Sequence, residues 1–408
     1  MTAQITFFPV GNGDMTLIEV ADGQSKVLID VNVRDAADDP SDETFDAATN
    51  LRKRLYRDED GRPYVDAFLL SHPDQDHCNG LQKHFWLGNP SSYPDDKKKD
   101  GEKRIMIREI WSSPLVFRRA SKDHPLCDDA RAFATEARRR VQINRDRKFS
   151  AVAEGDRILI LGEDEDGKTD DLGPILVKVD QEFDRINWVH NAYFRARLLA
   201  PLPKGDDETE EVLSKNHSST ILNIRLASDR THLDACRFLT AGDAEVAIWE
   251  GLWARHKRQP EVLQYDLLLT PHHCSWHSLS YDSWSEKHEE AEVSSAARSA
   301  LSQTRLGAVL VASSDPIKDD DNDPPCYGAK KEYERIARAA KGAFMCTGEY
   351  PSTAAPAPLE FAIGEKGVTL RPTRQAASSA KSLKPAAVVS GLSFPDRPVV
   401  PNKPAGFA

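Results

Sequence analysis

Two imidazoles and two carboxylates crowd six residues of the stretch Ser71-His72-Pro73-Asp74-Gln75-Asp76-His77, directly after the apolar run 65–70. A strand that empties into such a loop can aim several nitrogen and oxygen donors at one place, and Pro73 stiffens the turn. Mixed imidazole and carboxylate donors suit divalent cations such as zinc or manganese. The plain alternative is a polar loop whose histidines and aspartates bond only to one another or to water. Charged loops are common, but H-x-D-x-D-H at a strand end is not.

Three later apolar runs meet donors in the same way. Lys215-Asn216-His217-Ser218-Ser219-Thr220 precedes the alternating run 221–226, and 237–239 leads into Thr240-Ala241-Gly242-Asp243. The run 265–269 delivers Thr270-Pro271-His272-His273-Cys274-Ser275. Each has a structural alternative, Asp243 most simply as the N-cap of a helix expected over 244–257. Together with the first loop, however, they supply enough donors for two metals. Asp14, in the turn Gly11-Asn12-Gly13-Asp14, and Asp30 either support the ligands from behind or cap their own backbone.

The elements that must carry these donors follow from hydrophobic patterning. Short strands are expected at 5–10, 15–20 and 26–31, the first two as a hairpin, then a helix over 47–55 and the strand 65–70. Residues 81–150 break that rhythm and read as an insertion, with a polar, proline-bearing excursion at 90–99, a strand at 105–111 and a helix over 127–143. Arg138, Arg139 and Arg140 near the end of that helix either complement its dipole or form a phosphate-binding patch. Strands at 155–161, 175–179 and 307–312, helices over 281–303 and 330–340, and a hairpin at 360–370 complete the pattern. From 373 to 408, Ala, Ser, Pro and Lys dominate, which predicts a disordered tail.

Among 408 residues, 54 basic against 65 acidic side chains give a formal charge of -11. That excludes a nucleic-acid coat or a membrane-surface protein bound by bulk electrostatics, so an anionic substrate must be held locally. Six scattered cysteines without a C-x-x-C pair read as free thiols in a reducing compartment. With no basic leader and no long apolar run, the expectation is a soluble cytoplasmic protein.

Taken with Val10-Gly11-Asn12-Gly13-Asp14, Thr240-Ala241-Gly242-Asp243-Ala244 and Pro271-His272-His273 followed by Ser275, the H-x-D-x-D-H loop resembles the metallo-β-lactamase superfamily, most of whose members carry H-x-H-x-D-H. Within it, the chain looks like the soluble hydrolase domain of the ComEC DNA-uptake family and its stand-alone relatives, a subgroup that includes cell-wall phosphorylcholine esterases. The resemblance covers residues 1–372, which would be one hydrolase domain.

The resemblance implies an α/β fold, a four-layer αββα sandwich of two mixed sheets flanked by helices. It makes His72 and Asp74 ligands of one divalent metal, Asp76 and His77 ligands of the other, Asp243 the bridge and His217 the third-motif histidine. One of His272 and His273 would be a ligand and its partner would touch substrate. Two zinc ions, or manganese in their place, are the implied cofactors. The implied chemistry is hydrolysis by a metal-bridging hydroxide, with Asp76 positioning it and His272 or His273 assisting. The expected substrate is a small-molecule or nucleic-acid phosphodiester, no membrane is a partner, and a homodimer is allowed. Lactone, thioester or amide hydrolysis, or a metal-free regulatory module, are the alternatives. Cys274 departs from the family's pattern, which has glycine there, and Asp323-Pro324-Pro325 gives no clear counterpart of its later His-Pro motif.

Overall fold

The computed structural model describes residues 2–39, 41–118, 125–203 and 216–372, with His217 described in its backbone alone. The tail expected at 373–408 lies outside them. Two large mixed sheets account for most strands. In the first, the order is Leu176–Val177, Arg157–Leu161, Ile105–Ser112, Pro63–Leu69, Lys26–Ile29, Thr16–Glu19, Ala3–Phe7, Leu359–Gly364 and Gly367–Arg371. In the second it is Glu182–Phe183, Phe194–Ala200, Ile221–Leu226, Cys236–Leu239, Tyr265–Leu269, Thr304–Ala312 and Ala343–Cys346.

Three apolar cores make these sheets into four layers. Between the sheets, Phe7, Leu69, Trp111, Leu198, Phe238, Leu267, Val311 and Phe361 are buried together, and the Phe7 and Phe238 rings meet edge to face at 5.6 Å. A second core, with Trp249, Tyr265, Leu268, Leu310 and Tyr333, lies on the outer face of the second sheet under the helices Val246–His256, Ser295–Leu301 and Tyr327–Ala339. A third, with Phe68, Ile107, Ile110 and Phe133, lies under Ala47–Arg54 and Asp128–Asp146 on the first sheet. Parallel strands covered on both faces are buried along their whole length, as Tyr265–Leu269 is despite Asp266.

Three expectations change here. The stretch 81–150 is no appendage, because its strand Ile105–Ser112 runs parallel between Pro63–Leu69 and Arg157–Leu161. The helix expected over 281–303 is broken into Trp284–Lys287 and Ser295–Leu301, since Ser294 caps a fresh helix by accepting a hydrogen bond from Ala297 N. The strands Phe194–Ala200, which alternates over Phe194 to Leu198, and Ala343–Cys346 were not expected.

Between the sheets, Glu109 is buried and its Oε2 accepts hydrogen bonds from Trp111 Nε1 at 2.9 Å and Asn187 N at 2.7 Å. Burial raises its pKa from 4.5 to about 7, against the pull of those two donors. The folded protein therefore holds this proton to a pH at which the unfolded chain has lost it, and stability falls as pH rises from about 4.5 to about 7. Glu109→Gln keeps the acceptor and removes the charge. It should raise the melting temperature at pH 8, where the loss is on the order of 3 kcal/mol, and give no gain at pH 5. Equal shifts at both pH values would show that Glu109 is not the titrating group.

Candidate metal centre

All the candidate ligand loops reach one edge of the sandwich, because parallel strands place their C-terminal ends together. Pro63–Leu69 feeds the first loop, Cys236–Leu239 feeds Asp243, and Tyr265–Leu269 feeds the histidine pair. Ile221–Leu226 runs antiparallel to Cys236–Leu239, so its beginning, not its end, is at this edge. His217 precedes it in the turn Asn216–Ser218.

Asp243 occupies the middle. Its Oδ2 lies 3.3 Å from His72 Nε2 and 3.6 Å from His272 Nε2, whereas its Oδ1 lies 3.0 Å from His77 Nε2 and 3.5 Å from His273 Nε2. The helix behind it starts at Val246 with Glu245 as its N-cap, so Asp243 is not spent on capping. Around Oδ2 stand His72 and Asp74, 3.8 Å apart, and these two with Asp243 form one group able to hold a metal ion. Around Oδ1 stand His77 and His273, joined by Asp14 in a second such group, with Asp76 Oδ2 3.1 Å from His273 Nε2. The two histidines part here: His273 stands with the His77 set, whereas His272 Nε2 faces Oδ2 beside His72, its side chain 17% exposed against 1%.

His77 and His273 are held from behind. His77 Nδ1 meets Asp30 Oδ2 at 2.8 Å, and the same carboxylate accepts hydrogen bonds from Ser71 N and Ser71 Oγ at 2.7 and 2.6 Å. His273 Nδ1 lies 3.2 Å from Ser313 O and 3.4 Å from Asp14 Oδ1. Asp243 N donates to Ser219 Oγ at 3.0 Å. The loops also touch through backbone: Asp14 N donates to Asp76 O, and a Cβ on Gly13 would stand 2.7 Å from that oxygen. For Asp14 and Asp30 the sequence left support and backbone capping open, and the structure has them beside the rings. The supporting roles of Ser71, Ser219 and Ser313 were not signalled, since isolated serines in loops carry no signal.

Electrostatics favour a cation. Asp14, Asp30, Asp76 and Asp243 form no ion pair with lysine or arginine among the described residues, only with histidine. Burial opposes charge on His77 and His273, yet Asp243 together with Asp30 or Asp14 holds both imidazoles well above their ordinary pKa. For Asp243 burial is likewise outweighed by the surrounding histidines, His77 first, and its pKa falls well below the usual range. Asp14 Oδ1, His72 Nε2 and Asp243 Oδ1 are buried and make no hydrogen bond despite their close neighbours. Buried nitrogen and oxygen donors left without a hydrogen-bond partner at one place fit divalent cations.

Of the two readings of Arg138, Arg139 and Arg140, a helix end that complements its dipole or a phosphate-binding patch, the inward pairing of two of them does not favour the patch. Arg140 is buried, pairs with Glu136 and donates to Ile107 O and Arg157 O. Arg139 pairs with Glu136 and Asp156, which leaves Arg138 as the exposed member. Ile107 is five residues before the strand end at Ser112, about 16 Å from the ligand edge. The two inward arginines fasten the helix to the sheet.

No family model and no curated protein matches this chain. A solved structure of isothiocyanate hydrolase from Delia radicum gut bacteria is similar at 11% identity over 88% of this chain and 99% of that one, with a TM-score of 0.36. A likeness that loose carries no argument about fold or activity.

Asp30 offers a direct test of the centre's support. Asp30→Ala should weaken zinc binding by about 10- to 100-fold in competition with a chromogenic chelator, because His77 loses the acceptor that orients it. Unchanged affinity would detach Asp30 from the centre.

Proposed function

We propose that this chain is a metal-dependent hydrolase of the metallo-β-lactamase superfamily with a dinuclear centre, acting on a small phosphodiester. The observation that carries the reading is Asp243, whose two oxygens face two separate sets of donors. His72, Asp74 and Asp243 would hold one cation, and Asp76, His77, His273 and Asp243 the other, with His217 completing the first set. Two divalent cations bound there would supply an activated water and neutralise charge that develops on the substrate.

The chain's own residues do the rest. Asp30 and Asp14 fix the rings of His77 and His273 from behind, so the Nε2 atoms stay aimed at the centre. Asp76, its side chain 36% exposed, reaches toward solvent and is placed to accept a hydrogen bond from the attacking water. His272, its side chain 17% exposed, is placed to touch the substrate. A small phosphodiester is favoured over a polynucleotide because the chain is acidic and Arg139 and Arg140 are engaged inside the fold. No helix among the described residues is long and apolar enough to cross a membrane, and we place the protein in the cytoplasm.

After reconstitution with zinc or manganese, elemental analysis should find about two metals per chain. Asp243→Asn should lose at least one of them and slow hydrolysis of bis(p-nitrophenyl) phosphate by more than roughly 100-fold, with far-UV circular dichroism unchanged. Less than about one metal per chain would overturn the dinuclear reading. Turnover of lactones or thioesters without turnover of the phosphodiester would move the substrate class.

A further inference from the structure

The ligand loop has a second chemical feature that its metal centre does not use. Cys78 follows His77 at the end of the one-turn helix Gln75–Cys78, and its Sγ lies 3.5 Å from Cys127 Sγ. Cys127 is the N-cap of the 19-residue helix Asp128–Asp146, where its sulfur accepts a hydrogen bond from Ala130 N at 3.4 Å. Cys78 is buried, whereas Cys127 is partly exposed; the other four cysteines are buried. A disulfide, at about 2.05 Å, needs the sulfurs to close by only about 1.5 Å. On the other side, the Cys78 thiol donates to Asp74 O at 3.1 Å, so one sulfur touches both the ligand loop and the helix that packs on it.

We propose that Cys78 and Cys127 are a modification site for hydroperoxides, oxidised to a reversible disulfide that ties the metal-ligand loop to the start of the neighbouring helix. Cys127 is the attacking group, because it is the accessible one and the helix N-terminus favours its thiolate. Its pKa is lowered to about 6, chiefly by its contact with the Cys78 thiol and then by the hydrogen bond from Ala130 N, against the effect of burial. The Cys127 thiolate attacks one peroxide oxygen, the S–O bond forms as the O–O bond breaks, and the departing oxygen takes a proton to leave as water or an alcohol. Cys78 sulfur then attacks the sulfenic sulfur, the S–S bond forms, and the hydroxyl leaves as water with the Cys78 proton. Two thiols lose two electrons and one hydroperoxide gains them.

Oxidation removes the thiol proton that Asp74 O accepted and draws the end of the ligand helix toward Cys127. Asp74 and His77 flank that segment, so the donors of both groups shift with it.

The test uses the full chain loaded with zinc. After a molar excess of hydrogen peroxide and quenching with N-ethylmaleimide, non-reducing peptide mass spectrometry should find Cys78 linked to Cys127, and dithiothreitol should reverse the link. Cys78→Ser should instead leave Cys127 as a sulfenic acid trapped by dimedone. Should that variant not fold, the linked peptide from the unaltered chain decides alone. Chelator competition should show zinc bound about tenfold more weakly after oxidation. Absence of the linked peptide, or links among Cys274, Cys326 and Cys346 in equal yield, would overturn the site. A linked form with unaltered zinc affinity would overturn its grip on the ligand loop. Since the mass readout needs no turnover, it stands apart from the hydrolase reading.

Discussion

One buried carboxylate organises the donor-bearing edge of this molecule. Asp243 is 2% exposed and has imidazoles on both flanks, with oxygens 3.3 and 3.0 Å from His72 and His77. A carboxylate taken out of water costs several kcal/mol unless positive charge or donors replace the lost solvation. Here histidines replace it, and behind them stand Asp30 and Asp14, which add further negative charge. Such an edge is balanced by protonated imidazoles or by cations. The first explains the raised pKa of His77 and His273, and the second suits the buried Asp14 Oδ1, His72 Nε2 and Asp243 Oδ1, which make no hydrogen bond.

The sandwich holds this charge in place by spending its stability elsewhere in the molecule. Three apolar cores pin the strands, and the parallel strands in each sheet then deliver their C-terminal ends to a common edge. Loop contacts finish the placement. Gly13 passes so close to Asp76 O that no side chain fits, and a Cβ on Gly242, at φ +49°, would stand about 3 Å from Ser219 and Ser71.

Backbone strain is concentrated beside the histidine pair. His272, His273 and Cys274 all adopt left-handed φ of 50°, 51° and 71°, a conformation that costs roughly 1–2 kcal/mol per non-glycine residue. Cys274 stands where the resembling family has glycine, and the compensation is visible. Its side chain is buried in the core under the second sheet's helices, and its carbonyl accepts a hydrogen bond from Cys326 N at 3.0 Å. His272 N meanwhile donates to Gly242 O at 2.9 Å, locking the strained turn to the Asp243 loop.

The sequence by itself determined the ligand types and the strands that present them. An apolar run followed by His, Asp or a histidine pair is a local pattern, and Pro63–Leu69, Cys236–Leu239 and Tyr265–Leu269 all formed where such runs stand. Only the tertiary structure decided which oxygen of Asp243 faces which histidine, that His273 and not His272 joins His77, and that Asp14 and Asp30 stand behind the rings. It also decided that Ile105–Ser112 is central to its sheet, that Arg139 and Arg140 turn inward, and that Cys78 meets a thiol 49 residues away. The reason is physical. Hydrophobic period and turn chemistry act over a few residues and place the ends of elements, whereas strand order and side-chain direction come from packing between segments far apart in the chain, which no local pattern encodes.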